Sequence, residues 1–250
     1  MSPPAAPAID IRDLGVRDGP TEVLQQITLE VRAGETLGLI GLGGAGKTTL
    51  LKAILRLVPP SAGSVRLFDR CHRDPASRGQ LAYLPERFQP PGHLTGHDFL
   101  RLTLAFYGRR VSRAAASLRA AELDLDPVAL TRPIRSYSKG MAQKLGLLAM
   151  LLTERPLLIL DEPMSGLDPT ARVRLKQQLA AYRARGRTVL MSSQILADHD
   201  QLCERVAVLH QGRLGYVGSP AGLKERQGAA TLETAFLAEI QGPMPARAAP

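Results

Sequence analysis

The stretch TLGLIGLGGAGKTTLLKAIL, residues 36–55, limits the possible folds of this chain more than any other segment. Its first part, TLGLIGL, is a short apolar run that reads as a buried strand. Its last part reads as a helix from about Lys47 to Val58, stopped by Pro59 and Pro60. The joint, GLGGAGKT at 41–48, fits G-x-x-x-x-G-K-[ST] in the strand–loop–helix setting that this pattern needs. Gly41, Gly43, Gly44 and Gly46 let the backbone curl, so that N–H groups along the loop, those of Leu42 and Ala45 included, can surround phosphates. The helix start, Lys47-Thr48-Thr49, adds the positive end of the helix dipole. In such a loop the lysine reaches the β- and γ-phosphates and the adjoining hydroxyl binds Mg²⁺, which gives Lys47 and Thr48 those tasks. A nucleotide with Mg²⁺ is the expected ligand.

The rest of the chain supplies a sheet for this loop to sit on. Residues 9–14 and 22–31 read as strands, and ITLEV alternates as a half-buried strand does. SVRLFD, QLAYLPE, PLLILDE, RTVLMSS and RVAVLHQG are further strands, with a helix from Pro169 to Arg185 among them. From about Thr95 to Leu152 the pattern is helical without a convincing strand, an insertion large enough for a subdomain. Two short helices, near 219–226 and 231–240, close the chain. Strands alternating with helices imply an α/β fold with a mainly parallel sheet. Residues 1–8 and 241–250 are Pro/Ala-rich and expected to be disordered tails around one domain, 9–240.

Composition narrows the setting. Aromatic residues make up 4% and tryptophan is absent, so aliphatic side chains must fill the core of this 250-residue chain. The formal charge of +9 could serve nucleic acid or an anionic membrane surface, but the arginines are dispersed rather than gathered in one run. No nucleic-acid partner is expected. Cys71 and Cys203 match no metal or redox spacing, which points to a reducing compartment. MSPPAAPAID has neither the basic nor the apolar region of a signal peptide. The longest apolar stretch, Leu145 to Leu152, is far short of the roughly 20 residues of a membrane span. A soluble protein that can dock on a membrane protein is expected.

Two further segments carry chemistry. In PLLILDEP, 156–163, an apolar strand ends in Asp161 and Glu162. Carboxylates at the end of a buried strand need a reason, because isolated buried charge is costly. Mg²⁺ is such a reason for Asp161, and Glu162 can accept the proton of an attacking water. In YSKGMAQKLGL, 137–147, Ser138 and Gly140 open an amphipathic helix whose free N–H groups can face an anion. Taken alone it is an N-capped helix like many others.

Placed about 20 residues before the acid-ended strand, YSKGM resembles the signature motif of the ATP-binding cassette (ABC) family. SGLD, 165–168, is similar to the family's D-loop. The resemblance spans about residues 9–240 in the family's order. YSKGM, YLPE and TLETAFL, 231–237, further resemble the ATPase subunits of ABC-2-type exporters. The resemblance implies a P-loop NTPase core with a small antiparallel β subdomain and an inserted helical subdomain at about 95–152. It implies ATP and Mg²⁺ as cofactors and a head-to-tail dimer with a second copy. Ser138 and Gly140 then grip the γ-phosphate held by the partner copy, and Asp168 joins the two copies. It also implies a separate integral membrane permease, with this chain peripheral at the cytoplasmic face.

The chain departs from the family at several places. The region VRDG, 16–19, lacks the family's adenine-stacking aromatic; Arg17 could stack in its stead, or the base is held loosely. The Q-loop glutamine position holds Glu86, an oxygen ligand that can still bind Mg²⁺, with Gln89 three residues on as a possible substitute. Met141 replaces the final glutamine of the signature. After the turn Ser192-Ser193, where the family has a switch histidine, stands Gln194, which can donate a hydrogen bond but not a charge. His199, on the following helix, is expected on its surface. His93 and His97 have helical spacing, but Gly96 and the nearby prolines argue against a metal site. Three functional readings follow: the ATPase subunit of a transporter, which the motifs favour; a non-transport ABC ATPase, which usually has fused cassettes or coiled-coil inserts absent here; and a regulatory subunit with little turnover, suggested by Gln194.

Overall fold

The computed structural model describes residues 6–242. In chain order the elements are β1 (Ile9–Asp18), β2 (Thr21–Val31), β3 (Thr36–Ile40), α1 (Lys47–Ile54), β4 (Ala62–Leu67), β5 (Arg70–Cys71) and α2 (Pro75–Arg78). Next come β6 (Leu81–Leu84), α3 (Gly96–Phe106), α4 (Arg113–Glu122), two short 3₁₀ turns, α5 (Lys139–Leu152), β7 (Leu157–Leu160) and α6 (Pro169–Ala184). The chain ends with β8 (Thr188–Ser192), α7 (Leu196–Leu202), β9 (Arg205–His210), β10 (Arg213–Gly218), α8 (Pro220–Arg226) and α9 (Leu232–Gln241). The described residues divide into two compact units, one of residues 6–78 with 190–242 and one of residues 79–189.

The first unit holds an antiparallel sheet in the order β2-β1-β4-β5. Ile9 pairs with Val31 on one side and Leu67 on the other. The alternation read in ITLEV is real: Ile27, Leu29 and Val31 are buried, Thr28 and Glu30 exposed. β3 is buried at every position and pairs in parallel with β9, Gly38 beside Val206. A strand covered on both faces reads as a continuous apolar run, which is why TLGLI is legible as one. β10, absent from the sequence reading, returns antiparallel to β9. Its turn is Gln211-Gly212, both at positive φ (46° and 74°), the two-residue hairpin geometry that fits strand twist. The strand escapes notice because its side chains are all exposed or half-buried.

The second unit pairs β6 with β7 in parallel, Leu81 beside Leu157 through Leu84 beside Leu160. Its helices are capped as their sequences suggest: Thr95, Ser112, Ser138 and Asp168 each accept a backbone N–H of the first turn. Between 95 and 152 the structure is helical, with one isolated bridge, Thr95 to Pro133. The compact unit is wider than that inserted block, since it also takes in β6, β7 and α6. β8 crosses the division between the units. Parallel pairings in each unit, a separate antiparallel sheet and a helical block make the fold α/β, as expected.

The tails expected at 1–8 and 241–250 lie mostly outside the described residues. Two corrections apply within them. Ala8 is buried and its carbonyl accepts the Phe68 N–H at 3.2 Å, so ordered chain begins before β1. Gln241 belongs to α9 and Gly242 caps it.

Candidate functional site

In the first unit, β3 delivers the chain into the glycine-rich loop with no slack. A Cβ on Gly41 would lie 2.4 Å from the Leu209 carbonyl oxygen, so only glycine fits against β9 there. Gly44 (φ 79°) and Gly46 (φ 107°) adopt the left-handed conformation that turns the loop into α1. The loop is braced by Ala45 N–H to Leu42 O (3.1 Å) and by Gly212 N–H to Ala45 O (3.2 Å). Around Gly43 and Gly44 an added Cβ would meet nothing, so this side of the loop faces open space. Lys47 is buried (9% exposed), and its ammonium donates to the carbonyls of Gly41 (2.7 Å) and Leu42 (3.3 Å). Thr48 and Thr49 follow in the first turn, both half-buried. Strand, loop and helix thus follow one another as expected from the sequence.

Also in the first unit, β8 runs into a turn where Ser192 and Ser193 are buried and Gln194 is exposed. The Ser193 hydroxyl accepts the Ile195 N–H at 3.0 Å and fixes that turn. His199 is not on the helix surface, as expected from sequence, but fully buried. Its Nε2 lies 3.2 Å from the Ser193 carbonyl and its Nδ1 lies 3.5 Å from the Cys203 sulfur. Burial holds its pKa down to about 4, with the charge of Lys47 adding in the same direction and Ser193 and Asp198 opposing. Arg17, on β1, is exposed.

In the second unit, β7 is entirely buried and ends at Asp161 (1% exposed) and Glu162 (9% exposed). Asp161 N–H donates to Leu84 O at 2.9 Å, extending the β6–β7 ladder. Glu162 sits at φ 51°, a left-handed conformation unusual for a residue with a side chain and one that collects at functional turns. Tyr83, near the end of β6, was not singled out from sequence. Burial first, then the negative charges of Asp161 and Glu86, push its phenol up to about 12. Glu86 itself is exposed.

The start of α5 is bound to the SGLD turn. The Ser138 hydroxyl accepts the Met141 N–H at 3.2 Å. A Cβ on Gly140 would lie 2.8 Å from the Gly166 carbonyl, so helix and turn approach as only glycine allows. Gln143 donates to Pro163 O at 3.1 Å. The buried Lys144 ammonium reaches Asp124 at 2.7 Å and Asp168 at 3.2 Å. Asp168 also accepts the Ala171 N–H at 2.9 Å; that bond first, then Lys144, holds its carboxyl below the usual range. Gln143, Lys144 and Asp124 were not anticipated. Their partners are 20 or more residues away, and only the i, i+4 spacing of Lys144 from Gly140 hinted at a shared face. Among the described residues no three His, Cys, Asp or Glu side chains cluster as a metal site.

A glycine-rich loop between a buried strand and a helix, an acid-ended strand, and an N-capped helix tied to the turn after it define a P-loop NTPase of the cassette type. Residues 24–165 match the family model described as ABC transporter, and the chain belongs to that family. An ABC transporter ATP-binding protein of Nostoc sp., itself uncharacterized, is 38% identical over 202 residues, covering 78% of this chain and 59% of that protein. The chain spans less than two thirds of the length of this relative. Nod factor export ATP-binding protein I of Burkholderia lata is 34% identical over 258 residues, covering 97% of this chain and 79% of that protein. The solved ATP binding subunit of an ABC transporter superposes with a TM-score of 0.84 at 32% identity, covering 93% of this chain and 99% of that one.

Proposed function

We propose that this chain binds and hydrolyses ATP as the nucleotide-binding subunit of an ABC exporter, working as a head-to-tail dimer on a membrane permease. The observation that carries the reading is Lys47 buried in a glycine loop whose outer side is open. There the backbone N–H groups and the start of α1 would hold the phosphates. Lys47 exchanges its neutral carbonyl acceptors for phosphate oxygens, so that both partners of each bond are then charged. The relatives' names, Nod factor export among them, support an exporter.

The donor set fits Mg²⁺. The Thr48 hydroxyl and the carboxylates of Asp161 and Glu86 are hard oxygen ligands, and Mg²⁺ takes one or two carboxylates along with phosphate oxygens rather than a full protein cage. When bound, the ion neutralises charge on the β- and γ-phosphate oxygens. Glu162 takes the proton of the water that attacks the γ-phosphate. Gln194 donates an amide hydrogen bond to a γ-phosphate oxygen, without charge. Ser138 and Gly140 present the start of α5 to the γ-phosphate held by the second copy, and Asp168 meets that copy beside them. Arg17 takes the place of a base-stacking aromatic. The permease is met through the segment 86–99, which exposes Glu86, Arg87, Gln89, Pro91 and His93. This puts the chain at the cytoplasmic face of a membrane; no helix among the described residues is long and apolar enough to cross one. The domain is a single cassette from about Ala8 to Gln241.

The test is sizing of the Glu162→Gln variant with its permease present, with and without MgATP. A dimer of this chain that forms only with MgATP supports the reading. Its absence, with ATP bound, contradicts the two-copy site. Cross-links to the permease from 86–99 are expected, and cross-links confined to α8 and α9 would refute that docking surface.

A further inference from the structure

A fully buried histidine in an aliphatic core needs a partner for each nitrogen, and a leucine would fill similar space without that demand. His199 has both partners. The Ser193 carbonyl can only accept, so Nε2 carries the proton; Nδ1 then accepts from the Cys203 thiol. Space for the ring comes from Gly38, in the middle of β3. A Cβ there would stand 2.3 Å from Nδ1 and 2.9 Å from the Cys203 sulfur. The imidazole therefore fills a notch in the strand that feeds the phosphate-binding loop, and holds the carbonyl immediately before Gln194.

We infer that His199 is a positioning residue for the switch turn: seated in the notch at Gly38, it fixes the Ser193 carbonyl and so the backbone from which Gln194 reaches its phosphate acceptor. The inference rests on the proposed ATPase reading for its effect on rate. A glutamine aims its amide through three side-chain torsions, so its contact depends heavily on a fixed point of departure. Cys203 completes the set, since without its S–H donor the ring has one partner instead of two. β3 then carries the loop at its end and the mooring of the turn at its centre, which keeps the two in a set relation within one unit.

The test uses the full chain as His199→Leu and His199→Gln, each alone and combined with Gln194→Ala. Steady-state MgATP hydrolysis and amide hydrogen exchange are read on all. His199→Leu is expected to lower kcat about two- to tenfold, the range one neutral hydrogen bond allows, with KM for MgATP little changed. Exchange should quicken at 192–197 and not at 41–50. His199→Gln, which keeps an N–H donor, should recover most of the loss. In the Gln194→Ala background His199→Leu should change kcat no further, because coupled residues are not additive. An equal loss in that background, or equal loosening of 41–50, makes His199 a mere core residue and overturns the inference. Should the leucine variant not fold, ¹⁵N shifts of the wild-type imidazole decide: a neutral ring protonated on Nε2 supports the tie, and one protonated on Nδ1 contradicts it. If wild type hydrolyses nothing, the proposed function fails, while exchange at 192–197 still decides the tie.

Discussion

Two turns at strand ends in the same unit are built in opposite ways. The loop after β3 makes most of its shape from its own residues, glycines at positive φ and the first turn of α1, with outside support from Leu209 beside Gly41 and from the Gly212 N–H on Ala45 O. The turn after β8 takes its shape from elsewhere. The Ser193 hydroxyl supplies one local bond, but its carbonyl is held by His199 from α7, in a space opened by Gly38 on β3. A locally built turn can be read from sequence and fails when its own residues change. A turn held at a distance hides its supports and fails when they change.

The largest effect should come from the local turn. Lys47→Ala removes a cation from the phosphates and should reduce kcat/KM for MgATP about 100- to 1,000-fold, the size of loss seen when one well-placed transition-state donor is deleted. Binding and steady-state kinetics check it; a loss below about tenfold would mean that the loop is not the catalytic phosphate site.

Next comes the remote support. Gly38→Ala forces a Cβ into the imidazole and should cost about 1–3 kcal/mol as overpacking, seen as a lower Tm. In His199→Ala much of that cost should vanish. If Gly38→Ala is equally damaging in both backgrounds, the notch belongs to the strand and not to the histidine.

The same contrast explains what the sequence revealed. The glycine loop, the acid-ended strand and the Ser138 cap are contiguous patterns, and each stands where it was expected. The burial of His199 is a tertiary fact. One signal could have shown it: Leu196, His199 and Cys203 recur at i, i+3 and i+7, which places the histidine on the buried stripe of α7. Its polarity argued the other way and misled. Lys144 with Asp168 depends on segments 24 residues apart, and no single stretch encodes it. β10 was missed because a half-exposed strand leaves little period to detect.

A smaller effect follows from the buried imidazole. Its folded pKa, about 4, lies below the value near 6.5 of an exposed histidine, so the unfolded chain binds the proton first as pH falls. The stability it contributes is therefore present above about pH 6.5 and is lost as pH drops toward 4, by at most about 1.4 kcal/mol per pH unit. Denaturant midpoints at pH 7.5 and 5 should show the drop, and His199→Leu should lessen it. His72, whose pKa is also lowered by burial, adds to the background slope. An unchanged slope in the leucine variant would remove His199 as the cause.

The central claim is that this cassette hydrolyses ATP with a neutral residue at its switch. Steady-state MgATP hydrolysis by the chain with its permease, as wild type, Glu162→Gln and Gln194→His, tests it most directly. Glu162→Gln should be nearly inactive and wild type clearly above it. Gln194→His should run about five- to thirtyfold faster than wild type, equivalent to about 1–2 kcal/mol gained by a charge-assisted bond. Wild-type activity no higher than that of Glu162→Gln would contradict the account and leave a nucleotide-binding regulator in its place.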